Sequence, residues 1–378
     1  MSEYGFGVAT EVDVAEAYRP LYILRYAFWG QFVLLAVGSI AIFVFTVIVS
    51  RLNRTARKAA LEAKQLGQYE LEEKIGEGGM GVVYKACHSM LRRPTAVKLL
   101  DIDKTTDAAI ARFEREVRLT SQLNHPNTIA VYDYGRTPEG IFYYAMEYLD
   151  GFPLDALVKK HGPLPEGRVI HILEQLCGSL IEAHGVGLIH RDVKPANIII
   201  NARGGMFDVV KLLDFGLVKA VDAHKGASLT VAGSITGTPL YVSPEGIEHP
   251  DDVDARSDLY AVGAVGYFLL TGQPLFEGQS VVEICMHQVQ TAPVPLSERL
   301  GSAISADLEN VILKCLEKQP SERPQNAMEL LMALTACRSA GCWTTEDAQR
   351  WWQDSPAEAP TSTHSRTVIM NQDDATDS

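Results

Sequence analysis

Between Ala27 and Ser50 the chain carries no charged residue, and Phe32 to Val49 reads FVLLAVGSIAIFVFTVIV, apolar almost without interruption. Hydrocarbon offers no water to backbone N–H and C=O groups, so a single segment that crosses it must close its hydrogen bonds within itself, as a helix does. At about 1.5 Å per residue this stretch can cross a hydrocarbon core of roughly 30 Å. It is apolar all round, unlike the one-faced helix of a soluble core, and it starts too late and runs too long for a signal peptide's apolar region. The sequence predicts a transmembrane helix over 27–50.

Arg51, Arg54, Arg57, Lys58 and Lys64 crowd the C-terminal flank, while Glu3, Glu11, Asp13 and Glu16 outweigh Arg19 and Arg25 on the other side. Basic flanks stay in the cytoplasm, which places the N-terminus outside and the rest of the chain inside. Residues 1–26 contain no cysteine and are too few to fold into a sensor domain, so they read as a short extracytoplasmic segment. Residues 51–68 are rich in Ala, Lys, Arg and Leu and read as a basic, helical juxtamembrane stalk able to touch anionic lipid. Strand-like alternation begins at Tyr69, and periodicity fades after about 337. The extension 338–378 turns Ser-, Thr-, Pro- and Asp-rich from about 354 and reads as disordered from there. The 47% hydrophobic content supports a large core between those limits, and a net charge of -13 without a basic stripe argues against nucleic acid as a partner. Cys87, Cys177, Cys285, Cys315, Cys337 and Cys342 have neither CxxC nor zinc spacing and read as reduced structural thiols.

Three segments carry chemistry. The first, IGEGGMGVVYKA, spaces Gly76, Gly78 and Gly81 as GxGxxG before Val83. Glycines let backbone N–H groups approach a phosphate without intervening side chains. Alone, this spacing also marks dinucleotide sites. Here, however, it joins two strand-like runs instead of opening a helix, and so reads as a hairpin lid over a nucleotide. The second is Ala96-Val97-Lys98, where a lysine between apolar neighbours needs an anion. Residues 107–123 look helical, with Ile110, Phe113 and Val117 on one stripe and Glu116 beside it, which makes Glu116 the expected partner over Glu114. The third is IHRDVKPANIII at 189–200, followed by LLDFG at 212–216.

With these motifs the chain resembles the protein kinases, and among them the eukaryotic-like (Hanks-type) serine/threonine kinases of bacteria, here with a single transmembrane helix. The resemblance covers about 69–337 and implies a bilobal α+β fold: an antiparallel sheet with one helix to about 146, then a mainly helical lobe, with ATP between. Asp192 would then accept the proton of the substrate hydroxyl, and Lys194 would neutralise the transferred phosphoryl. Asn197 and Asp214 would hold Mg2+ (or Mn2+). Met146, Glu147 and Tyr148 resemble the linker between lobes, where Glu147 and Tyr148 offer backbone groups to adenine. Ile75, Val83, Ala96 and Lys98 complete the nucleotide-binding set with the three glycines.

Lys194 within HRDVKPAN and Thr238 within GTPLY resemble the serine/threonine branch. Arg191 is expected to meet a phosphate on the segment Asp214 to Glu245, at Thr230, Ser234 or Thr236. Glu245, in Ser-Pro-Glu where the family usually has Ala-Pro-Glu, would pair with Arg323, and Asp258 would hold the catalytic-loop backbone. The implied partners are proteins bearing Ser or Thr and a second copy of the chain for phosphorylation in trans, for which Gly38 and Ser39 give close helix contact. A phosphothreonine-binding domain at Thr367 is a further expected partner, and Trp343, Trp351 and Trp352 are expected to pack on the large lobe. Two other readings compete. A catalytically dead membrane scaffold is opposed by intact Lys98, Asp192 and Asp214, and a small-molecule kinase by the complete GTPLYVSPE peptide-docking segment.

Overall fold

The computed structural model describes residues 24–25, 28–49, 65–78, 81–100, 114–115, 117–137, 142–215 and 239–354. The chain divides into two units, Met1–Lys64 and Gln65–Ser378. In the first, helix α1 (Phe28–Val49) buries none of its residues and is long and apolar enough to cross a membrane. A core helix of a soluble protein would hide such a surface.

In the second unit an antiparallel sheet comes first: β1 (Gln65–Leu66), β2 (Tyr69–Gly78), β3 (Gly81–His88), β4 (Pro94–Leu100), β5 (Val131–Arg136) and β6 (Phe142–Glu147). They lie in the order β1-β2-β3-β4-β6-β5. Strand β1 falls in the segment read as a helical stalk: Leu66 pairs with Tyr69 and Gln65 with Glu70. Gly67 supplies the left-handed turn at φ 60°, and Leu66 is buried, so the hairpin gains an apolar anchor that a solvated stalk would lack. The described residues of 114–120 are helical.

The larger lobe is helical, with a small sheet of β7 (Gly151–Pro153), β8 (Ile198–Arg203) and β9 (Met206–Leu212). Its helices are α2 (Leu154–His161), α3 (Glu166–Gly185), α4 (Pro244–Glu248), α5 (Ala255–Thr271), α6 (Val281–Gln290), α7 (Leu296–Leu300), α8 (Ala306–Cys315), α9 (Ala327–Thr335) and α10 (Thr345–Asp354). Helix α5 is buried along nearly its whole length. Gly263 and Gly266 allow this, because a Cβ at either would stand 2.6 Å from Cys315 or Ile312 of α8. Asp254 caps its start and left-handed Gly272 ends it.

Helix α10 packs on this lobe. Arg168 of α3 and Asp208 of β9, both essentially unexposed, form a two-bond pair at 2.8 and 2.9 Å. The Trp343 and Trp352 indoles donate to the same carboxylate at 2.8 and 2.7 Å. Trp351 lies over the guanidinium at 4.0 Å, so every charge in this cluster is partnered.

Candidate active site

The loop carrying Asp192 is shaped from below by Asp258 on α5. Its carboxylate accepts the His190 and Arg191 backbone N–H groups at 2.8 Å each, and His184 Nε2 at 2.8 Å. These bonds hold Arg191 at φ 64°, a left-handed conformation that an ordinary residue keeps only when its surroundings impose it. Asp192 N–H donates to His190 Nδ1 at 3.2 Å, so the ring proton sits on Nε2 and reaches the Leu213 carbonyl at 2.7 Å. His190 thereby ties the loop to the turn carrying Asp214, and its ring stands 4.6 Å from that of Phe215.

At the mouth, Lys194 Nζ lies 2.7 Å from Asp192 Oδ2. Asn197 Nδ2 donates to the same oxygen at 2.8 Å and to the Asp192 carbonyl at 2.9 Å. Leu213 N–H donates to the Asn197 carbonyl at 2.9 Å, which draws Asn197 towards the Asp214 turn. The side chains of Asp192 and Lys194 are 26% and 39% exposed, so an incoming group can reach both.

From the small lobe, Lys98 Nζ crosses to Asp214 Oδ2 at 2.6 Å. Tyr144, which faces Lys98 in the β4–β6 register, donates its hydroxyl to Asp214 Oδ1. Burial pushes the Asp214 carboxyl up, but the Lys98 ammonium, both hydrogen bonds and nearby His190 together hold it below its ordinary value. Asp214 also has a left-handed backbone, at φ 49°. The Asp214 carboxylate and the Asn197 side-chain carbonyl are hard oxygen donors of the kind Mg2+ takes, with phosphates and water filling its other positions. The donor set fits the ion.

Val83, Ala96 and Met146 share one small apolar cluster with Val117, Ile129, Tyr144 and Leu213. Ile75 is exposed, and Gly78 and Gly81 face each other across the hairpin that closes the lid. Gly76 pairs with Val83. Tyr148 is half-buried beneath Lys85 Nζ, 5.2 Å from its ring. Glu147 is 3% exposed, and its side chain does more than the sequence suggested. Its carboxylate meets Lys211 Nζ at 2.6 Å, pairs with Arg203 and accepts Ala130 N–H at 2.9 Å. Burial raises the Glu147 carboxyl, and the Lys211, Ala130 and Arg203 bonds overcome that and lower it. The linker between lobes is thus pinned to β9, three residues before Asp214.

Glu116, Thr230, Ser234, Thr236 and Thr238 lie outside the described residues. Among the described residues, Lys98 has Asp214 as its partner. Arg191 is exposed, and among the described residues its guanidinium has no partner. Arg323 grips Glu245 through two bonds of 2.7 Å. Tyr144 and Lys211 were not singled out in the sequence. A tyrosine inside a mostly apolar strand, whose hydroxyl would need a partner once buried, was the available signal for the first.

A family model described as protein kinase domain matches residues 69–333. The serine/threonine-protein kinase pkn3 of Myxococcus xanthus is 43% identical over 263 residues, which are 69% of this chain and 48% of that one. The serine/threonine-protein kinase PknB of Mycobacterium tuberculosis is 43% identical over 267 residues, 70% of this chain and 42% of that one. The matched part is therefore less than half the length of these curated relatives. Among solved structures, the Mycobacterium tuberculosis PknI kinase domain aligns with a TM-score of 0.56 at 27% identity, covering 72% of this chain and 96% of that one. Rad53 1–466 in complex with AMP-PNP aligns with a TM-score of 0.58 at 25% identity, covering 72% and 67%.

Proposed function

The chain belongs to the protein kinase family, and from that premise we propose that it transfers the γ-phosphoryl group of ATP to serine and threonine hydroxyls of proteins, its own included. Asp192 orients the acceptor hydroxyl and takes its proton as the new O–P bond forms. The bond to the β-bridging oxygen breaks, and ADP leaves. Lys194, 2.7 Å from Asp192, is placed to neutralise the phosphoryl in transit, and Lys98 to grip the other phosphates. Asn197 and Asp214 would hold Mg2+, or Mn2+ in its place, and the bound ion supplies charge neutralisation on the phosphates. Val83, Ala96 and Met146 offer adenine an apolar slot, with linker backbone from Glu147 and Tyr148 beside it.

The observation that carries this reading is the 2.6 Å contact between Lys98 and Asp214, residues 116 positions apart, brought onto the turn that is tied to the Asp192 loop. A scaffold that had lost catalysis would have no need of this set. The test is phosphate incorporation from labelled ATP and Mg2+ into the full chain in detergent micelles, beside Asp192→Asn. Self-labelling on Ser and Thr should fall by about 10²- to 10⁴-fold in the variant. A wild-type chain that binds ATP but labels neither itself nor a generic acceptor would make the scaffold reading the better one.

Helix α1 supports a single-pass anchor in the plasma (inner) membrane, and the basic flank from Arg51 supports an outside N-terminus, a cytoplasmic kinase domain and contact with lipid headgroups. Phosphorylation at Thr230, Ser234 or Thr236 would give the exposed Arg191 a doubly charged partner. A second copy acting in trans, and a phosphothreonine-binding domain at Thr367, complete the signalling reading.

A further inference from the structure

The first turn of α5 holds two segments at once. Asp258 takes the backbone N–H groups of His190 and Arg191, beside Asp192. Its neighbour Ser257 donates to Glu245, and the Arg256 carbonyl accepts Arg323 Nη1 at 3.1 Å. Residues 239–245 are thus fastened one position along the chain from the support of the catalytic loop. On the kinase reading, the acceptor chain lies along this segment as it approaches Asp192. Glu245 and Arg323 fix the far end of this segment.

The near end is fixed differently. Gln288, on α6, is 0% exposed and 48 or 49 residues away in sequence. Its Nε2 donates to the Leu240 carbonyl at 2.8 Å and to the Pro239 carbonyl at 3.2 Å. Carbonyls only accept, so the amide nitrogen must face them, and Oε1 must face the buried Tyr260 hydroxyl, 2.5 Å away. Tyr260 is itself part of α5. The last turn of α6 is held in turn by Lys318 Nζ, which donates to the Gln288 carbonyl at 2.7 Å. A carboxamide with no exposure has to be hydrogen-bonded where it is buried, and both of its donated bonds go to the backbone of Pro239 and Leu240.

We propose that Gln288 is a positioning residue for the protein substrate: its carboxamide fixes the Pro239–Leu240 backbone and so sets how tightly an acceptor chain docks beside Asp192, without touching the nucleotide. This rests on the kinase reading above. Gln288→Met keeps the length and removes all three bonds. Gln288→Glu keeps an acceptor for Tyr260 and removes both donors to the carbonyls.

Initial rates are measured for the full chain in detergent micelles against myelin basic protein and, separately, against ATP. Amide hydrogen exchange across residues 240–242 is followed in the same samples. KM for the acceptor should rise by about tenfold in both variants, the worth of roughly one well-made buried hydrogen bond. KM for ATP should hold, and the 240–242 amides should exchange faster. Tyr260→Phe leaves both Nε2 bonds in place and should raise the acceptor KM less, which guards against a Gln288 variant that does not fold. An unchanged acceptor KM in a folded variant, or a parallel rise of both KM values, overturns the proposal. Should the wild-type chain transfer no phosphate, the kinase reading fails on its own, and exchange at 240–242 still decides: unchanged protection in the Gln288 variants overturns the anchoring.

Discussion

Arg323 and Glu245 meet through two bonds of 2.7 Å, and Lys194 and Asp192 through one of the same length. The distances agree, but the surroundings do not. Arg323 is 3% exposed and spends its remaining donors on the carbonyls of Glu317, Lys318 and Arg256. The Lys194 ammonium is open to solvent, and among the described residues Asp192 shares its carboxylate with Lys194 and the Asn197 amide alone. A pair whose every bonding direction is filled by fixed backbone cannot take a new partner, and it serves as a fastening. A pair left open on one side can give up its mutual contact to a phosphate or a hydroxyl. Saturation, more than distance, separates structural from chemical charges in this lobe.

The largest effect expected from breaking this contrast comes from Arg323→Ala, which strands Glu245 next to Ser257 and should cost roughly 3 to 5 kcal/mol of stability. Asp192→Asn keeps its neighbours' hydrogen bonds and should leave the unfolding midpoint close to wild type while transfer collapses. Denaturant unfolding of both variants checks this. A Arg323→Ala chain as stable as wild type would dissolve the distinction.

Acid sharpens the same contrast. Burial raises the Glu245 carboxyl, and the bonds from Arg323 and Ser257 outweigh it and hold the group below its ordinary value of 4.5. A depressed folded value means the contribution is complete above pH 4.5 and drains away as pH falls through that lower value. The stability gap between wild type and Glu245→Gln should therefore be flat above pH 4.5 and shrink below it. Urea unfolding at a series of pH values measures the gap, and one that widened on acidification would reverse the sign assigned to Glu245.

The sequence made the bilobal kinase fold legible because its two periodicities and its glycine hairpin are local. It brought out the residues whose chemistry is unusual for their setting: a lysine among apolar neighbours, an Asp-x-Lys-x-x-Asn loop. It did not bring out the partners chosen by register. Glu147 was read for its backbone, because nothing near it in sequence announces Lys211, 64 residues on. Asp208 gives no local sign of the two indoles, Trp343 just before α10 and Trp352 on it, that donate to it from 135 and 144 residues on. Gln288 reads as one more polar position on α6. Leu66 was lost among Ala and Lys because a two-residue strand has no period to detect. For Glu147, Asp208 and Gln288 the deciding contact is made across the fold, and in all four cases the burial that makes it strong is a property of the packed chain.

Tyr144 tests the contrast at its smallest scale, since Asp214 stands between the two classes. Its Oδ2 holds Lys98 and its Oδ1 accepts the buried Tyr144 hydroxyl, so in this state it is nearly as filled as Glu245. If Asp214 is a working ligand, one of those contacts has to yield, and the neutral hydroxyl is the weaker competitor for a site that a divalent ion can occupy. Tyr144→Phe removes the competitor and leaves Lys98 in place. The Mg2+ concentration giving half-maximal phosphate transfer should fall by about two- to tenfold, the equivalent of roughly 0.5 to 1.4 kcal/mol. Calorimetric titration of Mn2+ with a non-hydrolysable ATP analogue present should move the same way. A rise in the Mg2+ requirement would mean that the hydroxyl aims the carboxylate at the ion, and Asp214 would then belong with the fastenings.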